Sequence, residues 1–482
     1  MLKIGACAIA PSLTLILNLS LKLGDLPNDW KCAKVTPIYK GKGELDDCGN
    51  YRPISVTSHI SKIMEKAVLL QLKEYLSIHD FISPSQSAFI NNHSTTTAVQ
   101  RVISDILEGF NENEITSMCF IDLQKCFDTI DHSILLRKLE MYGFSGVTFK
   151  WFKNYLHCRK QSVKLNGLIS SFLDILMGIP QGSILGPILF LLFVNDLPNC
   201  IVKSECNLFA DDTIIYAQSS CRVEAESNLQ HDIDNLKSWF DKNRLHVNAS
   251  KSSCMSLSTS HNADDINITI NNESINVDKN VKYLGVNVSN NLSWERQISN
   301  ICKKLGHGLQ IIRRLKGKVP LNDMIIIYKT IIQPHIDYCI TVWGYAPTCQ
   351  VKRVQRLQNK IFRLITGDYS WDTSPSNILH DFNVPNVIQR RDYFNAINVY
   401  RCLNGSYPSY MSDLLSYASD FNTYATRNSI NNDMYVPMPR IELFRQSFQY
   451  TGPKLYNNLP QEVKDCQSLS CFKVKLKSHL MT

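Results

Sequence analysis

Leu208-Phe209-Ala210-Asp211-Asp212-Thr213-Ile214-Ile215-Tyr216 sets two adjacent acids in the middle of an otherwise apolar run. The flanks have strand composition, so the run reads as two half-strands joined by a tight turn that pushes both carboxylates out of a sheet. Asp-Asp by itself says little, because acids are common in turns. A third acid strengthens the reading. Met118-Cys119-Phe120-Ile121-Asp122 is another apolar strand that finishes in a carboxylate, followed by a turn over 125–129. If the two strands are neighbours in one sheet, Asp122 faces Asp211 across their ends. Clustered carboxylates repel unless cations neutralise them, and hard oxygen ligands suit Mg²⁺, with Mn²⁺ as a substitute.

The rest of the chain reads outward from these strands. Residues 178–187 form a Gly/Pro-rich turn that leads into a very apolar helix over 188–194. Amphipathic spacing predicts helices over 60–76 and 94–110, the second with Ser94 or Thr95 as N-cap, and further helices over 132–142 and 222–242. Short strands are expected at 33–39, 254–257 and 281–288, with a loop rich in Gly, Lys and Asp over 40–50. From Glu295 the chain reads mostly helical to about Ile365, and 368–482 shows no clear period, so a mixed region is expected there. No repeat at solenoid periods is present.

Composition bounds the chemistry. A chain of 482 residues with 44% hydrophobic and 20% charged residues is that of a folded protein with more than one lobe. The net charge is +8, and residues 295–368 hold 13 Lys/Arg against 4 Asp/Glu, which leaves the remainder close to neutral. One segment is therefore a candidate for a polyanion partner, although a solvated helical face would carry the same charge. The 16 cysteines are scattered with no C-x-x-C pair, which excludes the usual zinc-ribbon spacings and fits a reducing, intracellular compartment. Lys3 followed by an apolar run to Leu23 imitates a signal peptide, but Pro11 and Asn18 interrupt it and no cleavage site precedes Asp25. It is read as a buried helix at the start of a domain, and no membrane partner is expected.

Several of these motifs together resemble those of reverse transcriptases from non-LTR retrotransposons of the LINE or jockey type. The stretch Asp122-Leu123-Gln124-Lys125-Cys126-Phe127-Asp128 resembles their first catalytic motif. Gly178-Ile179-Pro180-Gln181-Gly182-Ser183 resembles the second palm motif, and Phe209-Ala210-Asp211-Asp212 the catalytic hairpin. Asn50-Tyr51-Arg52-Pro53-Ile54-Ser55 resembles a fingers motif, and Tyr283-Leu284-Gly285-Val286 the element that grips the primer. The resemblance implies an α+β right-hand polymerase with fingers over 1–114, a palm over 115–290, a helical basic thumb over 291–367 and a small mixed C-terminal region over 368–482. It implies that DNA is extended on an RNA template from a primer, with deoxynucleoside triphosphates as substrates.

Roles follow by position. Asp122 and Asp211 would hold two metal ions with Asp212 beside them. Phe127 would stand against the nucleotide sugar and exclude a 2′-hydroxyl, although without the motif it would read as a core Phe. Gln181 would touch the incoming nucleotide and template, Lys40 and Arg52 the triphosphate, and Lys251 the pyrophosphate. Tyr283, Leu284 and Gly285 would grip the primer. Arg353, Arg356, Lys360 and Arg363, spaced three and four apart, share one helical face that would track a phosphate backbone, joined by Lys303, Lys304, Arg313 and Arg314.

Two positions depart from the family pattern. Cys126 replaces a usual Ala, and Ala88 replaces a usual Gly, which would matter if that backbone needs a positive φ. Elements of this type carry an endonuclease ahead of the polymerase. The expectation is that this chain lacks it, as a fragment of a longer reading frame or a decayed copy. Two other readings compete: an RNA-dependent RNA polymerase, which usually carries Gly-Asp-Asp and needs no sugar gate, and a remnant that binds nucleic acid without catalysis.

Overall fold

The structure is a computed structural model that describes residues 5–259, 266–370, 373–421 and 433–481. At its centre lies a five-stranded sheet in the order Asn276–Val277, Ser253–Leu257, Ile115–Ile121, Asp212–Ser219, Glu205–Phe209. Ile115–Ile121 pairs antiparallel with Asp212–Ser219 on one side and Ser253–Leu257 on the other. Period-two alternation sends neighbouring side chains to opposite faces. Cys119, Ile121, Ile215, Ala217 and Cys254 enter one core, and Met118, Ile214, Tyr216, Met255 and Leu257 enter another. Both faces are buried, which is why these strands read as continuous apolar runs.

Helices cover each face. On the first lie Gly186–Val194, in which every residue but Pro187 is buried, and Arg222–Lys242, which contributes Leu229, Ile233, Leu236 and Phe240. On the second lies Thr95–Asn111, started by a capping box in which the Ser94 hydroxyl accepts from Thr97 N–H and the Thr97 hydroxyl accepts from Ser94 N–H. A second sheet joins Tyr51–Val56 antiparallel to Cys32–Tyr39, which runs parallel to Arg159–Leu165. The helix His59–Ile78 follows directly from it.

Beyond the central sheet, Glu295–Leu315 and Thr348–Thr366 pack on each other and share the second core with the sheet. The expectation of a mixed C-terminal region is corrected, since its described residues are chiefly helical, with Val387–Leu403, Phe448–Asn457 and Leu469–Met481 as the principal elements. They return to the helix Thr95–Asn111: the Tyr410 hydroxyl donates to Thr97 Oγ1 at 3.1 Å, and Gln449 Nε2 donates to Glu108 Oε2 at 3.0 Å.

The expected N-terminal helix exists as Ala6–Leu23, but it is not buried. Ser20 is its one buried residue, and Leu15 is 70% exposed. Its apolar residues run all the way round, and only Leu17 and Leu21, one turn apart, pack against the core. Trp151 Nε1 donates to Ser20 Oγ at 3.2 Å and fastens the helix to Gly146–Leu156. Among the described residues it is the one helix long and apolar enough to cross a membrane. Lys3 and Ile4 lie outside the described residues. All 16 cysteines are free.

A half-buried acid ties the second face together. Tyr216 donates to Asp105, whose carboxyl burial pushes up to about 6, against the pull of that hydrogen bond and of Arg101. A carboxyl held above its unfolded value near 4 keeps its proton longer in the folded state, so stability falls as pH rises between those values. Asp105→Asn keeps the acceptor for Tyr216 and removes the titration. We expect its chemical-denaturation stability to lose that decline between about pH 4 and 6.

Candidate active site

The three acids converge at one end of the central sheet. Glu205–Phe209 and Asp212–Ser219 form a hairpin closed by the pair Phe209↔Asp212, which leaves Ala210 and Asp211 as its two-residue turn. Ala210 takes φ 56°, a left-handed conformation that costs an alanine about 1 kcal/mol. The register of Ile115–Ile121 against the hairpin ends at Ile121↔Thr213, one residue short of Asp122 and Asp212. Asp122 therefore stands just beyond its strand, beside the turn that carries Asp211.

Fixed neighbours hold this arrangement. Gln86 is buried, and its Oε1 accepts the N–H of Ala210 at 3.2 Å as well as those of Ser87 and Ala88. The segment around it runs beside the hairpin, with Ser87 N–H donating to Leu208 O and Leu208 N–H donating to Ser85 O, both at 2.8 Å. Ala88 is fully buried and has no positive φ; that conformation falls on Phe89, at 59°. The missing glycine thus leaves no strain at position 88. Cys126, also buried, directs its thiol to Asp211 Oδ2 at 3.6 Å. Asp122 is held through its backbone: its N–H donates to Ser252 Oγ at 3.1 Å, and its carbonyl accepts from Asn248 N–H at 2.8 Å.

Electrostatics show charges that lack full compensation. Desolvation pushes the Asp212 carboxyl up to about 6, helped by Asp211 and then Asp122, although the residue as a whole is exposed. Asp122 is also raised, first by burial and then by Asp211, while Lys251, Asn248 and Lys40 pull it down. Among the described residues no group of three or more His, Cys, Asp and Glu side chains is close enough to form a ready metal cage. The acids form an open, negatively charged floor. That suits a hard cation which keeps waters and takes substrate oxygens, as Mg²⁺ does. A cavity of about 790 Å³ lies elsewhere, lined by Gln86, Phe89, Tyr142 and Ile188 among others, and none of the three acids borders it.

The turn 178–187 meets the backbone of two segments at once, residues 127–130 and the strand Tyr51–Val56. Gly178 N–H donates to Ile130 O at 2.7 Å, Ile179 N–H to Phe127 O at 2.8 Å, and Ser55 N–H to Gln181 O at 2.7 Å. Gly178 and Gly182 have φ 85° and 114°, and a Cβ on either would fall 2.5 Å from Asp128 O or 2.7 Å from Ser55 O. The Gln181 side chain donates to Asp128 Oδ1 at 2.9 Å. Phe127 is half-buried and stacks on Phe190, with ring centroids 4.4 Å apart.

The other expected residues divide by their surroundings. Lys40 donates to Gly49 O at 2.8 Å, and its charge offsets a part of the burial-driven rise of both Asp122 and Asp128. Arg52 and Lys251 are exposed. Tyr283, Leu284 and Gly285 belong to a hairpin of Asn280–Tyr283 and Val286–Ser289, with positive φ at both central residues, Leu284 and Gly285. Tyr283 is buried under it beside Phe120, and its phenol is raised by burial and then by Asp212. The Tyr338 hydroxyl donates to Leu284 O and anchors the tip.

Arg353, Arg356, Lys360 and Arg363, all on Thr348–Thr366, do not act as one free face. Arg353 donates to Ser299 Oγ at 3.1 Å, and Arg363 donates to the carbonyls of Ser370 and Thr373 at 3.2 Å each. Arg356 and Lys360 are exposed, as are Lys303, Lys304, Arg313 and Arg314. Sequence reasoning missed Gln86, Asn248 and Ser252, which touch the site through ordinary polar groups that no spacing marks.

Residues 38–288 match the family model of reverse transcriptases (RNA-dependent DNA polymerases), and the chain belongs to that family. It is 30% identical over 386 residues to the RNA-directed DNA polymerase from mobile element jockey of Drosophila funebris, covering 78% of this chain and 42% of that one. It is 28% identical over 383 residues to the probable RNA-directed DNA polymerase from transposon X-element of Drosophila melanogaster, covering 78% and 42%. The chain thus spans less than half the length of these relatives. Among solved structures, that of apo telomerase from Candida Tropicalis matches with a TM-score of 0.42 at 12% identity, covering 80% of this chain and 67% of that one.

Asp212 gives a test that needs no turnover. Its raised carboxyl lowers stability as pH climbs from about 4 to about 6, and the penalty persists above that range. In the presence of a chelator, Asp212→Asn is expected to melt higher than wild type at pH 7.5, with the gap shrinking toward pH 5. Mg²⁺ should raise the melting temperature of wild type more than that of the variant, read by differential scanning fluorimetry.

Proposed function

We propose that the chain is the polymerase portion of a non-LTR retrotransposon enzyme, an RNA-directed DNA polymerase that extends a primer 3′-hydroxyl with deoxynucleotides on an RNA template. The observation that carries the reading is the only partly compensated acidic floor of Asp122, Asp211 and Asp212 at the end of a sheet within the family match. Residues 1–114 act as fingers, 115–290 as palm and 291–367 as thumb, and the C-terminal region 368–482 braces the helix Thr95–Asn111.

Asp122 and Asp211 would hold two Mg²⁺ ions, or Mn²⁺ in their place, with Asp212 beside them. When bound, such ions supply Lewis-acid activation of the attacking hydroxyl and stabilise the departing pyrophosphate. The chain's own residues do the rest. Lys40 and Arg52 bind the triphosphate, and Lys251 stands where a proton can be given to the leaving group. The Phe127 ring, braced by Phe190, occupies the space a 2′-hydroxyl would need. Gln181 leaves Asp128 to meet the incoming nucleotide. Tyr283, Leu284 and Gly285 orient the primer end. Arg356 and Lys360 hold the nucleic-acid backbone directly, while Arg353 and Arg363 fix the helix that presents them.

Primer extension on an RNA template with Mg²⁺ tests the reading. Deoxynucleotide incorporation is expected in wild type and absent in Asp211→Asn, and Phe127→Ala is expected to raise ribonucleotide use by about tenfold or more. Ribonucleotide incorporation by wild type would instead mark an RNA polymerase. Salt-sensitive RNA binding without extension would mark a non-catalytic remnant.

A further inference from the structure

Glu65 is a charged residue of the helix His59–Ile78 with no solvent exposure. A buried carboxylate is costly unless its oxygens are occupied, and here they are occupied by backbone. Its Oε2 accepts the N–H of Ile184 at 2.6 Å and that of Leu185 at 3.2 Å, and its Oε1 accepts the Ser61 hydroxyl at 3.2 Å. Among the described residues no cation forms an ion pair with it. The Tyr155 phenol stands beside it, raised by burial and then by Glu65, with the Arg159 guanidinium 4.9 Å over the Tyr155 ring.

Ile184 and Leu185 lead into the helix Gly186–Val194. That helix is almost wholly apolar, its N-cap residue is Leu185, and it has no acid in its first turn, so its own residues supply only the Ser183 hydroxyl, which accepts from Gly186 N–H at 2.9 Å. The positive end of the helix and the free N–H groups before it need an acceptor from elsewhere. Glu65 reaches over from a segment about 120 positions earlier to provide it.

We infer that Glu65 is a positioning residue for nucleotide selection: its buried carboxylate fixes the turn Gln181–Leu185, and so sets where Gln181 and Gly182 meet the incoming deoxynucleotide. The inference rests on the polymerase reading above. The turn has few other fixed points on this side. Ser55 N–H donates to Gln181 O, but the Gln181 side chain is bound to Asp128 and must be free to change partner. A charge-assisted anchor two residues beyond Gly182 keeps the backbone in place while that side chain moves.

Glu65→Gln keeps the volume but turns an amide group toward N–H donors. In the full chain we expect the KM for deoxynucleotide to rise about tenfold, the effect of weakening one charge-assisted hydrogen bond, with kcat and primer–template affinity little changed. Hydrogen exchange should accelerate in the peptide holding Ile184 and Leu185 and stay unchanged in the hairpin 205–219. Glu65→Asp should recover part of the KM. A merely structural role would lower active enzyme concentration and leave KM unchanged, which overturns the inference. If wild type itself fails to extend a primer, the polymerase reading fails. Exchange then decides whether Glu65 holds the turn: unchanged protection at Ile184 and Leu185 in Glu65→Gln overturns that as well.

Discussion

Three carboxylates are kept together against their own repulsion, and most of the fold around them opposes their separation. Free acids in water would drift apart or take up protons. Here Asp211 sits on a two-residue turn, Asp212 is locked into a ladder by its pairing with Phe209, and Asp122 is fixed by backbone bonds to Ser252 and Asn248. None of these attachments uses the carboxylates themselves for support. The result is a rigid floor whose negative charge is offset only in part by Lys40 and Lys251, with the Cys126 thiol on Asp211 and the Asn248 side chain on Asp122 as its polar side-chain neighbours.

That rigidity comes from burying the central sheet on both faces. A sheet covered on one side could flex at its free face, and a hairpin at its edge would move with it. Here alternate side chains of the same strand feed two separate cores, so a shift of register would displace both. The cost appears at Ala210, whose positive φ is tolerated because Gln86 takes its N–H. Two glycines play the corresponding part in the turn 178–187, where the backbone of one segment presses against the carbonyls of Asp128 and Ser55. Segments far apart in sequence thus meet as backbone, with little freedom to slide.

The same physics decides what the sequence discloses. The helices around the acids were legible because burial on one face imposes a period, and the strands because burial on both faces leaves a continuous apolar run that the hairpin's acids interrupt. The helix over 222–242 and the strand near 254 followed from spacing alone. The N-terminal helix was legible as a helix but not in its burial: an all-round apolar composition is the same whether a core or nothing covers it. The basic face of residues 353–363 was legible as a helical face. Its division was not, because Arg353 and Arg363 are held by Ser299 and by the carbonyls of Ser370 and Thr373, contacts that leave no periodic trace. Asp211 likewise touches Cys126, which in sequence reads only as a small core residue.

Charge is divided across the chain in a way that fits the proposed chemistry. A floor of three acids repels phosphate, so on this reading it cannot itself recruit a nucleic acid. On the same reading, the exposed cations of Glu295–Leu315 and Thr348–Thr366, which lie outside the floor, would supply attraction that is independent of sequence and weakened by salt. Concentrating the chain's positive excess in that one segment lets the acids stay under-neutralised. Were the same cations placed among the carboxylates, they would occupy the oxygens that the chemistry needs, and the site would bind its substrate's phosphates while losing its hold on the metal.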